Sequence, residues 1–170
     1  IGGLLNNGNA VGNVVSGGTE SNILALLHSR NLHNVTYPEI IVPENVHHSF
    51  HKAANMLGLK LISVSYSDLK SDPTIIEEKI NTNTIMVVGT AGTTDLGLID
   101  PIDELSSICM KHGIDLHVDA SFGGFVIPFL NELGYDKPKF DFSLDAVTSI
   151  TIDPHKMGMA PIPSSCILFR

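Results

Sequence analysis

The chain is 170 residues long with a formal net charge of -8, 43% apolar residues and 16% charged ones, proportions that suit a single compact domain. Its 10 Lys and Arg residues form no dense cluster, which argues against the positive stripe that nucleic-acid phosphates require. No apolar stretch is long enough to span a bilayer, and Cys109 and Cys166 lie singly in apolar runs, so neither a membrane segment nor a disulfide framework is expected and the setting is read as cytoplasmic.

In chain order, Ser16-Gly17-Gly18-Thr19 is a flexible turn that feeds a helix over 18–31, with Ile23, Leu24, Leu26 and Leu27 at helical spacing. Residues 39–42 make a short strand stopped by Pro43. A helix over 47–57 carries Phe50, Ala53, Ala54 and Leu57 on its apolar side, and Lys60–Val64 is the next strand. Asp72-Pro73 starts a helix, because the aspartate side chain accepts from orphan backbone amides and proline at the first helical position has no bond to lose. Ile75, Ile76 and Ile80 follow it, and 84–88 is a strand. Asp100-Pro101-Ile102-Asp103 repeats that cap with an acid at the third helical position, ahead of an apolar face of Ile102, Leu105, Ile108 and Cys109. Strands at 115–118 and 146–151 come next. Ser165–Phe169 follows too soon for a helical crossover and should run antiparallel.

Apolar strands alternating with helices imply an α/β fold, a mostly parallel sheet covered on both faces with its last strand antiparallel. Ile1-Gly2-Gly3-Leu4-Leu5 begins inside an apolar pattern without an initiator Met, and Arg170 directly follows a strand. The expectation is a piece of a longer protein.

Loops after successive parallel strands emerge on one edge of such a sheet, where ligands bind. The polar groups expected there lie in 44–48, 89–95, 119–121 and 153–156, so Asp153, His155 and Lys156 belong together. Gly17 and Gly18 permit close backbone approach, and the amides of Thr19, Glu20 and Ser21 would be free donors for a phosphate. The Glu20 carboxylate opposes an anion if it points inward and complements the helix if it does not. An ordinary loop-to-helix turn is the plainer reading. Asp119 at a strand end is either a turn cap or the partner of a cation such as a protonated aromatic nitrogen. Lys156 is either a solvated lysine or an amine made neutral by desolvation and by His155, fit to form an imine with an aldehyde cofactor. His47 is a surface or capping histidine, or a flat ring that stacks on that cofactor. The trio His47, His48 and His51 invites a metal reading, but the zinc-protease pattern needs Glu where His48 stands.

Five segments carry a resemblance: Ser16-Gly17-Gly18-Thr19-Glu20-Ser21-Asn22, Val46-His47-His48-Ser49-Phe50, the run from Gly89 to Asp100, His117-Val118-Asp119-Ala120-Ser121-Phe122-Gly123-Gly124, and Ser149-Ile150-Thr151-Ile152-Asp153-Pro154-His155-Lys156. In that order they resemble the pyridoxal-phosphate-dependent group II amino-acid decarboxylases, and are most similar to the archaeal L-tyrosine/L-aspartate enzymes of that family. The resemblance implies an aspartate-aminotransferase-like, three-layer αβα fold (fold type I) and pyridoxal 5'-phosphate as cofactor. It implies that Lys156 binds the aldehyde, Asp119 pairs with the ring nitrogen and His47 stacks on the ring. Thr19 and the amides near Gly18 and Glu20 match phosphate ligands, Thr93 stands beside the cofactor, His155 lies near its phosphate or the substrate, and Asp153 is a further cofactor-binding residue. Ser121 occupies a ring-contacting place where relatives commonly have alanine.

The resemblance further implies decarboxylation of L-tyrosine or L-aspartate by a homodimer, with residues 1–170 part of a large domain and an N-terminal segment and small C-terminal domain lying outside them. Two other readings stay open. One is carbon–carbon cleavage of a phosphorylated amino alcohol, since lyases of that kind share the Ser-Gly-Gly-Thr-Glu-Ser run. The other is a non-catalytic remnant or interaction module.

Overall fold

In the computed structural model, which describes every residue except Asp68, the site is positioned by a central sheet. Strands β1 (Val11–Val15), β2 (Glu39–Pro43) and β3 (Lys60–Val64) are followed by a short ribbon of β4 (Tyr66–Ser67) and β5 (Lys70–Ser71). Then come β6 (Thr84–Thr90), β7 (Asp115–Asp119), β8 (Val147–Ile152) and β9 (Ser165–Phe169). Among the described residues, seven of these strands form one sheet in the order β1-β9-β8-β7-β6-β2-β3. Pairing is parallel from β3 through β8, and β9 runs antiparallel to both β8 and β1. The antiparallel turn of the last strand is therefore as its short connection required.

Among the described residues four α-helices cover the sheet: α1 (Gly18–Leu32) and α2 (Ser49–Leu57) on one face, α3 (Pro73–Lys79) and α4 (Ile102–His112) on the other. Alternate residues of one strand feed the two cores. Ile40 and Val42 of β2 pack with Leu26 of α1 and Phe50, Ala53 and Ala54 of α2. Ile41 packs with Ile76 of α3 and with Ile102, Leu105 and Cys109 of α4. Among the described residues no helix is long and apolar enough to cross a membrane.

Asp72 caps α3 as expected, accepting from Thr74 N at 2.9 Å and Ile75 N at 3.3 Å. The matching Asp-Pro before α4 does not repeat this. That helix begins at Ile102 with Pro101 at its cap and no side-chain cap bond, while Asp100 accepts from Ser71 N at 2.8 Å and Thr90 N at 2.7 Å. Two amides from other elements, that of Ser71 buried and that of Thr90 half-buried, win the carboxylate. The apolar stripe expected on α1 also differs: its buried residues are Ser21, Asn22, Ala25, Leu26 and Ser29, whereas Ile23, Leu24 and Leu27 are half-buried. Strand β1 is an addition to the expected order, mostly exposed and formed by its ladder to β9.

Candidate active site

The C-terminal ends of β2, β6, β7 and β8 and the start of α1 surround one cavity of about 740 Å³. Gly18, Thr19, His47, Thr93, Asp119, Ser121, Asp153, His155 and Lys156 all line it, so residues spread over most of the chain converge. Glu20 is not among the lining residues. Its carboxylate turns back to accept from Ser16 N at 2.8 Å and Ser16 Oγ at 2.6 Å. The hydroxyl bond first, and the amide bond second, hold this acid below the usual glutamate range. Turned away in this fashion, Glu20 complements the helix start rather than opposing an anion.

Helix α1 begins at the edge of the cavity. Ser21 N donates to Gly17 O at 3.1 Å as the first intrahelical bond, so the amides left over by helix geometry are those of Gly18, Thr19 and Glu20 rather than Ser21. A Cβ at Gly18 would lie 3.0 Å from both Asp153 Oδ2 and Ser121 Oγ. Glycine therefore lets the helix start seat directly against the two strand ends. Gly92 serves the next turn in the same fashion. Its φ is 97°, and a Cβ there would meet Gly123 N at 2.8 Å, while Thr93 is fixed by Leu98 N donating to its Oγ1 at 3.1 Å.

Asp119 ends β7 at 6% exposure, with donors on both oxygens. Ser121 N and Oγ donate to Oδ1 at 3.1 and 2.6 Å, and Asn22 Nδ2 donates to Oδ2 at 3.1 Å. All three partners are donors, so both oxygens act as acceptors and Oδ2 keeps a lone pair for a cation. Ser121 accordingly touches Asp119 as its first partner.

Lys156 lies four residues beyond the end of β8 in a turn, so of the two readings open to it the partly solvated lysine is the one observed and the buried strand-end amine is not. Its side chain keeps 35% exposure, and Nζ lies 2.9 Å from Asp153 Oδ2. The same oxygen is 3.8 Å from His155 Nε2. His155 Nδ1 accepts from Ser164 N at 3.0 Å, so the neutral ring carries its proton on Nε2, facing Asp153. Asp153 is 1% exposed, and among the described residues its Oδ1 is a buried acceptor without a hydrogen-bond partner.

His47 precedes α2 by two residues and is exposed toward the cavity, with its ring centroid 4.2 Å from that of His48. Burial, then the neighbouring His48 charge, push its pKa down, against the pull of Asp119. Its Nδ1 is 2.8 Å from Ser49 Oγ. Behind these groups Asn22, Ser49, His117 and Thr151, to which the sequence motifs give no role, form a buried polar layer. The signal was present as Asn22, Leu26 and Ser29, a helical stripe two-thirds polar on a covered helix. Burial holds His117 near a pKa of about 4, with Asp119 opposing, so it is neutral at ordinary pH.

The pyridoxal-dependent decarboxylase conserved domain matches residues 3–170. The chain is 53% identical over 171 residues to a probable L-tyrosine/L-aspartate decarboxylase of Methanothermobacter thermautotrophicus, covering 100% of this chain and 47% of that protein. It is 59% identical over 163 residues to a probable L-aspartate decarboxylase of Pyrococcus furiosus, covering 94% of this chain and 43% of that protein. Among solved structures, sphingosine-1-phosphate lyase of Burkholderia pseudomallei superposes with a TM-score of 0.93 at 34% identity, over 99% of this chain and 41% of that one. The chain thus spans less than half the length of the curated relatives it matches.

Proposed function

Because the chain belongs to the pyridoxal-dependent decarboxylase family, we propose that it is the cofactor-holding part of a pyridoxal 5'-phosphate-dependent enzyme that removes CO2 from a small L-amino acid, with L-tyrosine and L-aspartate the first candidates. Its three-layer α/β architecture is the aspartate-aminotransferase-like fold type I. The observation that carries the reading is convergence: an amine, a carboxylate, a flat imidazole and a glycine-opened helix start share one cavity.

The residues present fit the group. Among the described residues Asp153 Oδ1 is a buried acceptor without a partner, and glycine at position 18 is what lets the amides of the helix start stand against Asp153 and Ser121, where a Cβ would lie 3.0 Å from both. Lys156 would hold the aldehyde, Asp119 the ring nitrogen, His47 one ring face, and the amides of Gly18, Thr19 and Glu20 the phosphate. Thr93, Ser121, Asp153 and His155 would complete the surround. When bound, pyridoxal phosphate supplies an electrophilic carbon and an electron-accepting ring, which loss of a carboxylate as CO2 requires.

The chain's own groups do the positioning. Lys156 gives up its 2.9 Å contact with Asp153 before its amine can react, and the Nε2 proton of His155, with Nε2 3.8 Å from the same oxygen, is the donor that stays beside that carboxylate. Asp119, with Oδ1 saturated by Ser121, directs Oδ2 toward a cation. His47, tied through Nδ1, offers a ring face and an Nε2 proton. Within this proposal the protein is a cytoplasmic homodimer and the chain is part of its large domain.

The likeness to the Burkholderia lyase favours one second reading, carbon–carbon cleavage of a phosphorylated amino alcohol. The full-length protein, supplied with pyridoxal phosphate, is expected to develop a visible absorbance band that Lys156→Ala abolishes, and to release CO2 from L-tyrosine or L-aspartate. Aldehyde from a phosphorylated amino alcohol, without CO2 from tyrosine, aspartate or glutamate, would select the lyase. Absence of the band in the unaltered protein would sink both.

A further inference from the structure

Asn22 is 1% exposed, and both ends of its carboxamide are engaged. Its Nδ2 lies 3.1 Å from Asp119 Oδ2 and 3.0 Å from Ser49 Oγ. An ionised carboxylate only accepts hydrogen bonds, so the atom facing Asp119 must be the amide nitrogen and a single orientation of the carboxamide is possible. Both amide hydrogens are then used. Ser49 Oγ receives one of them and keeps its own hydrogen for His47 Nδ1 at 2.8 Å, a nitrogen that Ser49 N also approaches at 3.3 Å. His47 Nδ1 is therefore an acceptor, and the neutral ring carries its proton on Nε2. At its other end, Asn22 Oδ1 accepts from Thr151 Oγ1 at 2.7 Å and faces His117 Nε2 at 3.3 Å. One side chain on α1 thereby ties the ends of β7 and β8 to the start of α2.

We propose that Asn22 is a positioning residue that couples Asp119 to His47 through the Ser49 hydroxyl. This rests on the cofactor-site reading only for the roles given to Asp119 and His47. Hydrogen bonds in series polarise one another where water is excluded, so the Asp119 charge reaches His47 through the chain Asp119, Asn22, Ser49 as well as across space. The direct influence is present too. Besides Asp119, the groups that act on the His47 ring are His48, Lys156 and Asp153, and Asp119 opposes the downward push of burial. An apolar residue of similar size at position 22 would leave Asp119 Oδ2 without its donor and Ser49 Oγ without the bond that commits its hydrogen to His47.

A double-mutant cycle separates the two routes. The His47 ring is titrated by NMR in the cofactor-free protein, in the unaltered sequence, in Asp119→Asn, in Asn22→Leu and in the double variant. Asp119→Asn is expected to lower the His47 midpoint, because a favourable negative charge is lost. In the Asn22→Leu background the same change should produce less than half that lowering. Equal lowering in both backgrounds would assign all of the influence to direct Coulombic attraction and overturn the relay. Should Asn22→Leu fail to fold, Ser49→Ala breaks the chain at its hydroxyl, and the cycle is read against the same criterion. No cofactor enters this measurement, so its failure is distinguishable from absence of the Lys156-dependent absorbance band.

Discussion

Helices α1 and α4 cover opposite faces of one sheet, yet they bury opposite chemistry. The covered face of α4 is Ile102, Leu105 and Cys109 with the single hydroxyl of Ser106. That of α1 includes Ser21, Asn22 and Ser29 beside Ala25 and Leu26. Each polar group on α1 has a partner in the sheet or at its edge: Ser21 Oγ with Ser165 Oγ at 2.8 Å, Asn22 with Asp119, and Ser29 Oγ with Asp115 Oδ2 at 2.6 Å. Oriented hydrogen bonds fix one register, whereas apolar contacts tolerate sliding and repacking. The α4 face therefore holds the domain together, and the α1 face fixes where Asp119 and the helix start stand relative to one another.

The largest expected effect tests the α4 side. Leu105 is 0% exposed, and Leu105→Ala should cost about 3 kcal/mol of stability through lost transfer energy and the cavity left behind. Denaturant midpoints measure it. Once folded, the variant should develop the same cofactor absorbance as the unaltered protein, because no atom of Leu105 lines the site. Loss of that absorbance at full folding would erase the division of labour between the two helices.

A pH experiment sharpens the α1 side, where His117 is 0% exposed beneath Asn22. Its pKa falls from the ordinary histidine value of 6.5 to about 4 because burial penalises the charged ring. The unfolded chain thus binds the proton more readily. Stability from this group is fully present above the unfolded value and is lost as pH falls from near 6.5 toward about 4, by on the order of 3 kcal/mol. Chemical denaturation at a series of pH values should show that loss in the unaltered protein and a shallower one in His117→Gln. Parallel slopes would mean that the buried imidazole is not the group being titrated.

Much of this was legible in the sequence where the cause is local. The Asp72-Pro73 cap, the strands Lys60–Val64 and Ser165–Phe169, and the antiparallel run of the last strand all follow from neighbouring residues and connection length. Motif order likewise placed Lys156, Asp119, His47, Gly18 and Thr19 around one cavity. What escaped is non-local. Val11–Val15 is a strand because β9, from the far end of the chain, pairs with it, and its exposed residues leave no alternating signal. Asp100 carries the same pattern as Asp72, but amides of Ser71 and Thr90 claim its carboxylate. On α1 only Leu26 of the four apolar residues at helical spacing is fully buried, because the partners that make Asn22 and Ser29 worth burying lie on β7, β8 and α2. For Lys156 the sequence leaves a solvated and a desolvated amine open, and the turn beyond its apolar strand decides for solvent and for Asp153.

The finest comparison sets one buried serine against another. Ser29 on α1 donates to a carboxylate, Asp115 Oδ2, at 2.6 Å, and Ser106 on α4 accepts from the amide of Ala146 at 3.3 Å. A short bond to a charged acceptor contributes more than a long neutral one. Ser29→Ala does not strip Asp115 bare, since His33 Nε2 lies 3.2 Å from the same oxygen, and its cost should settle at about 1.5 kcal/mol. Ser106→Ala should cost roughly half as much, because the amide it deserts had only a long bond to lose and the new methyl packs against the apolar α4 core. Paired denaturant titrations at neutral pH resolve the order. If Ser106→Ala proves the more damaging, hydrogen-bond chemistry is not what distinguishes the two helices, and the polar face of α1 would owe its character to packing alone.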